Sequence, residues 1–159
     1  MASIEWKEAK WEAYRGSLSV PELLTVLKGF GSMEILKFEV PGRFAGLMSL
    51  CLTDDGTKEV TLYHLEVLCE KCHGVGRKAV RWLKEIFRGP VFLEFPDSAD
   101  PEIGFHPTLP FWLKMYREGL VDAIDCENFY LEPKATSDQV DEFQDRIVSA
   151  LNKGPKILK

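Results

Sequence analysis

Residues 60–87, VTLYHLEVLCEKCHGVGRKAVRWLKEIF, are the part of the chain that decides the fold. Val60–Leu68 is rich in β-forming residues and apolar on both faces, which predicts a buried central strand. Gly74 and Gly76 follow, and apolar side chains at helical spacing then predict a helix over about 77–87. A strand, a glycine-spaced turn and a helix in this order indicate a mixed α/β fold.

The other elements are predicted from the same periodicities and from turn residues. The predicted helices are 3–15, a second from Val20 to the glycines at 29 and 31, 111–118 and 137–152. The predicted strands are 33–40, 44–53, 91–95, 120–125 and 128–132, with a turn at Asp54-Asp55-Gly56, a proline-rich loop over 96–110 and a frayed basic tail from Lys153.

Length and composition set limits on the class of protein. At 159 residues the chain is expected to be a single domain, with N-terminal helices over 1–32, a core over 33–132 and the C-terminal helix. A net charge of −5 argues against a general nucleic-acid binder, and no apolar run is long enough to span a membrane. Neither nucleic acid nor a membrane is therefore an expected partner.

The N-terminal residues also bear on the cysteines. MASIEWKEAK is charged and lacks the apolar stretch of a secretory signal, so we expect a cytoplasmic protein. Because cysteines stay reduced there, the four at positions 51, 69, 72 and 126 are expected to be core residues or ligands rather than disulfides.

Residues 69–76, CEKCHGVG, allow three interpretations. As C-x-x-C-H they match a c-type haem attachment site, but cytochromes c are helical, and Met115 or His106 would be needed as a distal ligand. As C-x-x-C-x-G-x-G they resemble one repeat of a DnaJ-type zinc module, without the further repeats. A zinc site would combine Cys69, Cys72 and His73 with Cys51 or Cys126.

The third interpretation is a phosphate-binding loop. A strand that leads through a glycine-spaced turn into a helix brings backbone N–H groups together at the positive end of the helix dipole. The glycines let an anionic chain lie against the backbone. The polar side of the helix is basic, with Arg77, Lys78, Arg81, Lys84 and Arg88. These features favour a pyrophosphate ligand, although the same charges are also typical of a solvated helix face.

On these residues the chain resembles the GNAT acyltransferase superfamily, over roughly residues 33–132. The stretch from Lys71 through Cys72, His73, Gly74 and Val75 to Gly76 is similar to the family pattern Q/R-x-x-G-x-G/A. The resemblance implies an α+β fold with a mixed, mostly antiparallel central sheet flanked by helices. It also implies that backbone groups of residues 73–78 hold the pyrophosphate of acetyl-CoA. The strand edge at Leu65, Glu66 and Val67 would pair with the pantetheine arm.

A second likeness lies near residue 116. Residues 115–121, MYREGLV, resemble the family pattern F-Y-x-x-x-G-F with one residue fewer. Tyr116 would then protonate the departing CoA thiolate, whereas an alignment without the deletion places Trp112 there. His64 and Glu66 on the central strand are candidates for the general base, and His64 has the alternative role of a hydrogen-bonded core residue.

The expected activity is direct transfer of an acyl group, most simply from acetyl-CoA, to an amine acceptor, with no covalent enzyme intermediate and no metal. The first two helices, the proline-rich loop and the late strands would bind the acceptor, whose identity the sequence leaves open. Two alternatives remain: a non-catalytic module of the same fold that binds CoA or a protein, and a haem or zinc protein that uses Cys69, Cys72 and His73. The edge of a mixed sheet leaves a homodimer open.

Overall fold

The computed structural model describes residues 9–13, 16–69, 74–95, 109–126 and 129–157 of the chain. The chain divides into two compact units, Met1–Phe92 and Leu93–Lys159. Each unit combines helices with strands, so the predicted mixed α/β class is confirmed. The division of the chain into a single domain over 1–159 stays a prediction.

The first unit is built on a sheet with antiparallel neighbours. Its elements are β1 (Lys10–Ala13), β2 (Gly16–Leu18), α1 (Val20–Phe30), β3 (Ser32–Val40), β4 (Phe44–Leu52), β5 (Lys58–Val67) and α2 (Val75–Phe87). The strand order is β2-β1-β3-β4-β5, and each of these neighbouring pairs is antiparallel.

A sixth strand, β6 (Val91–Phe95), begins in the first unit and leads into the second. The Val60 N–H donates to the Pro90 carbonyl at 3.0 Å, so β6 begins beside the beginning of β5. Helix α2 therefore returns the chain from the end of β5 to the end of the sheet at which β5 began, as in a strand–helix–strand crossover.

The second unit contains α3 (Leu109–Arg117), β7 (Ala123–Cys126), β8 (Phe129–Leu131) and α4 (Ser137–Ile157). Strands β7 and β8 are antiparallel, with Ile124 opposite Leu131. Val140, Phe143 and Ile147 of α4 are buried, at the spacing expected for one helix face. These elements match the predicted order of helix, two strands and helix.

An aromatic cluster holds α2 against the sheet of the first unit. Trp82 of α2 stacks on Trp11 of β1, with ring centroids 5.6 Å apart, and meets Phe44 of β4 edge-on at 5.3 Å. Phe38 and Phe87 complete the cluster, and all five side chains are buried. Aromatic pairs in these geometries contribute about 0.5–1.5 kcal/mol beyond the burial of their area.

Helix α1 begins and ends as its sequence predicts. Ser19 accepts the Glu22 N–H at 3.3 Å, and the Glu22 carboxylate accepts the Ser19 N–H at 3.1 Å. This reciprocal pair is a capping box, and it lowers the pKa of Glu22. Gly31, with φ 79°, ends the helix in the left-handed conformation that glycine adopts most readily.

The predicted helix over 3–15 is wrong where the structure describes it. Lys10–Ala13 is a strand that pairs with β2 and β3, and Trp11 lies opposite Phe38. Trp11 reaches the core from this strand, so its burial and the ladder hydrogen bonds override the helical spacing of the apolar residues. Residues 3–8, 14 and 15 lie outside the described part.

The prediction that β5 is apolar and buried on both faces is also wrong. Leu62 lies opposite Met48 but His64 lies opposite Leu47, so Tyr63 is an extra residue in a β-bulge. The bulge places His64 and Glu66 on the solvent face, where both are exposed. The alternative role of His64 as a core residue is therefore wrong as well.

Two boundaries differ near the C-terminal end. Leu109 and Pro110 belong to α3 rather than to the proline-rich loop, because a proline is compatible with the first turn of a helix. Residues 96–108 lie outside the described part. Helix α4 continues past residue 152 to Ile157, so the predicted frayed tail is wrong over 153–157.

Gly46 of β4 lies where the backbone of β5 and the Phe38 ring approach β4 closely. A Cβ at this position would lie 2.4 Å from the His64 carbonyl oxygen and 2.5 Å from the Phe38 ring. Gly46→Ala should therefore lower the free energy of unfolding by about 2–3 kcal/mol. Urea denaturation measures this change.

Gly29→Ala is the matched control for this substitution. Gly29 lies in α1, and a Cβ there meets nothing within 4 Å. This variant should be more stable than the wild type by about 0.5–1 kcal/mol. Equal effects of the two substitutions would contradict the close approach at Gly46.

Candidate functional site

The start of α2 is the part of the predicted phosphate loop that the structure describes. Gly74 is the N-cap, with φ 80° and ψ 4°, and its carbonyl accepts the Lys78 N–H at 3.0 Å. The N–H groups of Val75, Gly76 and Arg77 precede this first intrahelical bond. Gly74 has no side chain that could accept one of them, unlike Ser19 at the start of α1. Backbone donors are thus grouped at the end of α2 that follows β5.

The first turn of α2 is basic. It contains no acidic residue, and the side chains of Arg77 and Lys78 are exposed. The positive end of the helix dipole lies at the same place, so dipole and side chains both favour an anion. A proposed anion site therefore has both the hydrogen-bond donors and the charge that it needs.

The remaining cofactor-binding predictions fall in two groups. Lys71, Cys72 and His73 lie outside the described residues. Residues 65–67 pair along one edge of β5 with β4, where Leu65 lies opposite Gly46. A pantetheine arm would therefore have to pair with the other edge of β5.

The two base candidates lie together on the solvent face of the sheet. His64 and Glu66 lie opposite Leu47 and Ala45, which form the floor of a shallow groove of about 230 Å³. The opposite wall carries charged residues of β1 and β3, namely Lys10, Glu12, Lys37 and Glu39. In the register Lys10 faces Glu39, and Glu12 faces Lys37, so these charges are matched across the two strands.

This arrangement depends on the β-bulge at Tyr63, which the sequence pattern does not reveal. Without the extra residue, His64 would point into the core, because successive strand residues alternate between the faces of a sheet. Glu66, two residues further along, would do the same. As observed, both side chains are exposed to water, as a general base that acts through water requires.

Tyr116, the predicted general acid, lies in the second unit and makes two hydrogen bonds. It is 8% exposed, and its hydroxyl donates to the Glu132 carbonyl and accepts the Ala135 N–H at 2.7 Å. These bonds tie α3 to the segment before α4. Phosphate loop and base candidates belong to the first unit. The catalytic role of Tyr116 stays a prediction.

The cysteines correct one expectation. Cys69 is in a disulfide, whereas the exposed Cys51 and the buried Cys126 are outside any disulfide. The prediction that the cysteines are reduced is therefore wrong for Cys69. It was based on the expected cytoplasmic location alone. The haem and zinc interpretations both require the Cys69 sulfur, as a thioether or as a thiolate, and the disulfide occupies it in this state.

Two further searches of the described residues bear on ligands and membranes. Within the described ranges, no three His, Cys, Asp or Glu side chains come together in a way that could hold a metal ion. Neither α4 nor a shorter helix in that part of the chain combines the length and the apolar character that crossing a bilayer requires.

The chain matches no protein-family model, no curated protein and no solved structure. The resemblance to the GNAT superfamily therefore rests on the sequence motifs, and what it implies for function is a proposal.

Tyr116→Phe tests the structural role of the hydroxyl. Its removal breaks two part-buried hydrogen bonds, to the Ala135 N–H and the Glu132 carbonyl, each worth about 0.5–1.5 kcal/mol, so the free energy of unfolding should fall by about 1–3 kcal/mol. Tyr130→Phe is the matched control, because Tyr130 is 63% exposed. It should change stability by less than about 0.5 kcal/mol. Equal unfolding midpoints for the two variants would show that the Tyr116 bonds contribute nothing.

Proposed function

We propose that the protein is a CoA-dependent N-acyltransferase that transfers an acetyl group from acetyl-CoA to an amine. The observation that carries the proposal is the start of α2, where a left-handed glycine, the backbone N–H groups of the first turn and a basic set of side chains follow the strand β5. The motif resemblance quoted above supplies the identity of the ligand, and the geometry supplies the chemistry that would bind its diphosphate.

The diphosphate of CoA is the group that this helix end suits. The amides of Val75, Gly76 and Arg77 would donate to phosphate oxygens, and such charge-assisted bonds are about twice as strong as neutral ones. Gly74 and Gly76 present no side chain that would keep the diphosphate from the backbone. Arg77 and Lys78 add charge close to the ligand.

Transfer of the acetyl group requires three steps. The amine loses a proton, its nitrogen attacks the thioester carbonyl, and the tetrahedral intermediate collapses with release of the CoA thiolate. His64 or Glu66 would accept the amine proton through water. Tyr116 is the proposed acid for the thiolate, and in that role its O–H must leave the Glu132 carbonyl to which it donates.

A non-catalytic, CoA-binding module is the second candidate. The observation that favours it is the Tyr116 hydroxyl, whose proton and acceptor site are both engaged by backbone groups. The two candidates differ in turnover. Acetyl-CoA binding with no CoA release against a broad panel of amines would support the module, and rapid acetylation of any amine would support the enzyme.

Gly74→Glu tests the anion site. The substitution places a carboxylate beside the proposed diphosphate, so acetyl-CoA binding should weaken at least about 100-fold, by charge repulsion and loss of the close approach. Isothermal titration calorimetry measures this, with ADP as a second ligand to separate recognition of the diphosphate from recognition of the thioester.

Gly56→Glu is the matched control. Gly56 also has a positive φ, 88°, and an open Cβ position, so the strain and the charge introduced are the same. It precedes β5, whereas Gly74 follows it, so the ten-residue strand separates the two by about 33 Å. This variant should bind acetyl-CoA like the wild type. Equal loss of binding in both variants, or no binding by the wild type at millimolar acetyl-CoA, would contradict the proposal.

A further inference from the structure

The outer face of α2 carries a row of basic side chains. Arg81 and Arg88 are exposed and seven residues apart, and the half-buried Lys84 lies between them. Residues three, four and seven apart lie on one face of a helix, because 3.6 residues make one turn. Ala79 and Leu83, which are buried, lie on the opposite face. The basic row of α2 therefore faces solvent rather than the core of the first unit.

The row continues to the last residue of the helix. Arg88 is the C-cap of α2, and its N–H still donates to the Lys84 carbonyl at 2.9 Å, as in a continuing α-helix. Seven residues at the rise of an α-helix place the Cα atoms of Arg81 and Arg88 about 10.5 Å apart along the axis. Glu85 is the acidic residue on this face.

The outer face of α4, in the second unit, carries a row of acidic side chains at the same spacing. Asp138 and Asp145 are exposed and seven residues apart, so they too are about 10.5 Å apart along their helix. Asp141 and Glu142 lie between them and are also exposed. The buried side chains of α4 lie on the opposite face: Val140, Phe143 and Ile147.

The two rows match in position and differ in sign. Counted from Arg81 and from Asp138, each helix has charged residues at the first, fourth, fifth and eighth positions. The charges are opposite at the first, fourth and eighth positions and alike at the fifth, where Glu85 and Glu142 stand. Glu142 is paired with Arg146 at 2.7 Å, which reduces this one repulsion.

The end residues of both rows have no charged partner inside the chain. Within the described ranges, Arg81, Arg88, Asp138 and Asp145 form no ion pair and no side-chain hydrogen bond. A surface with opposite charges at the same spacing is therefore the partner that suits each row. The chain itself supplies one such surface for each row.

We propose that a second copy of the chain docks the acidic row of its α4 on the basic row of α2. Because every copy carries both rows, the contact can form twice in a two-fold symmetric pair. The net charge of −5 makes two copies repel each other at long range, so attraction has to come from local complementary charges. Exposed ion pairs are individually weak, and we therefore expect a weak, reversible dimer. The inference does not depend on the proposed acetyl-CoA site.

Exchange of the charges between the two rows tests the proposal. One variant combines Arg81→Glu with Arg88→Glu, so that both of its rows are acidic, and the other combines Asp138→Arg with Asp145→Arg, so that both are basic. Sedimentation velocity on each variant alone should give a dimer Kd at least about tenfold above that of the wild type, because repulsion replaces attraction. An equimolar mixture should dimerise with about the wild-type Kd, since acidic rows then meet basic rows.

Net charge alone does not explain recovery in the mixture. The two Arg→Glu changes take the net charge from −5 to −9, and the two Asp→Arg changes take it to −1, so both variants remain negative. Their overall charges therefore still repel each other. Recovery of the dimer requires the reversed residues themselves to meet across the contact.

Lys28→Glu combined with Lys114→Glu is the matched control. Both lysines are exposed, one on α1 and one on α3, and the two changes give the same net charge of −9. This variant should dimerise like the wild type. Arg81→Gln combined with Arg88→Gln removes the charges without adding repulsion, and glutamine suits a helix about as well as arginine. It should raise the dimer Kd about threefold, and circular dichroism confirms that each variant is folded.

Three results would overturn the inference: a wild type that stays monomeric at millimolar concentration, an equimolar mixture that stays monomeric, or a lysine control that loses the dimer as completely as the arginine reversals. None of these results bears on the proposed function, which titration with acetyl-CoA decides separately.

Discussion

The packing of α2 against the sheet of the first unit is the constraint on which the proposed site depends. Trp82 is buried between Trp11 and Phe44, and a buried aromatic side chain removes roughly 150–250 Å² from water, equivalent to roughly 4–6 kcal/mol. A charge near a helix end contributes about 0.3–1 kcal/mol. Packing therefore decides where α2 lies, and its first-turn amides are in place before any anion arrives.

The sequence predicted the elements whose signals are local. The glycine at 31 marks the end of α1, and the apolar spacing of α2 marks its buried face. It misplaced elements that depend on partners. The apolar residues around Trp11 have helical spacing in the sequence. The segment nevertheless forms β1, because β3 supplies hydrogen-bond partners and Phe38 supplies a buried contact for Trp11. Such pairing between distant segments leaves no trace in a short window of sequence.

The site could be predicted only where backbone geometry follows from residue type. Gly74 adopts a positive φ at a helix start, which its place between a strand and a helix indicates. The Tyr116 hydroxyl forms its hydrogen bonds with backbone atoms. Because every residue has these atoms, no sequence motif predicts the bonds. The bulge that exposes His64 arises from the register between β4 and β5. The Cys69 disulfide contradicts the prediction of reduced cysteines, which was based on the expected cytoplasmic location.

The most direct test of the central claim is a titration of ¹⁵N-labelled protein with acetyl-CoA, followed by amide chemical shifts. The amides of Val75, Gly76 and Arg77 precede the first hydrogen bond within α2, and in the proposed complex they donate to phosphate oxygens. The account therefore predicts the largest chemical-shift changes at these three amides. Largest shifts on the second unit, at α4 or β8, or no shifts at millimolar acetyl-CoA, would contradict it.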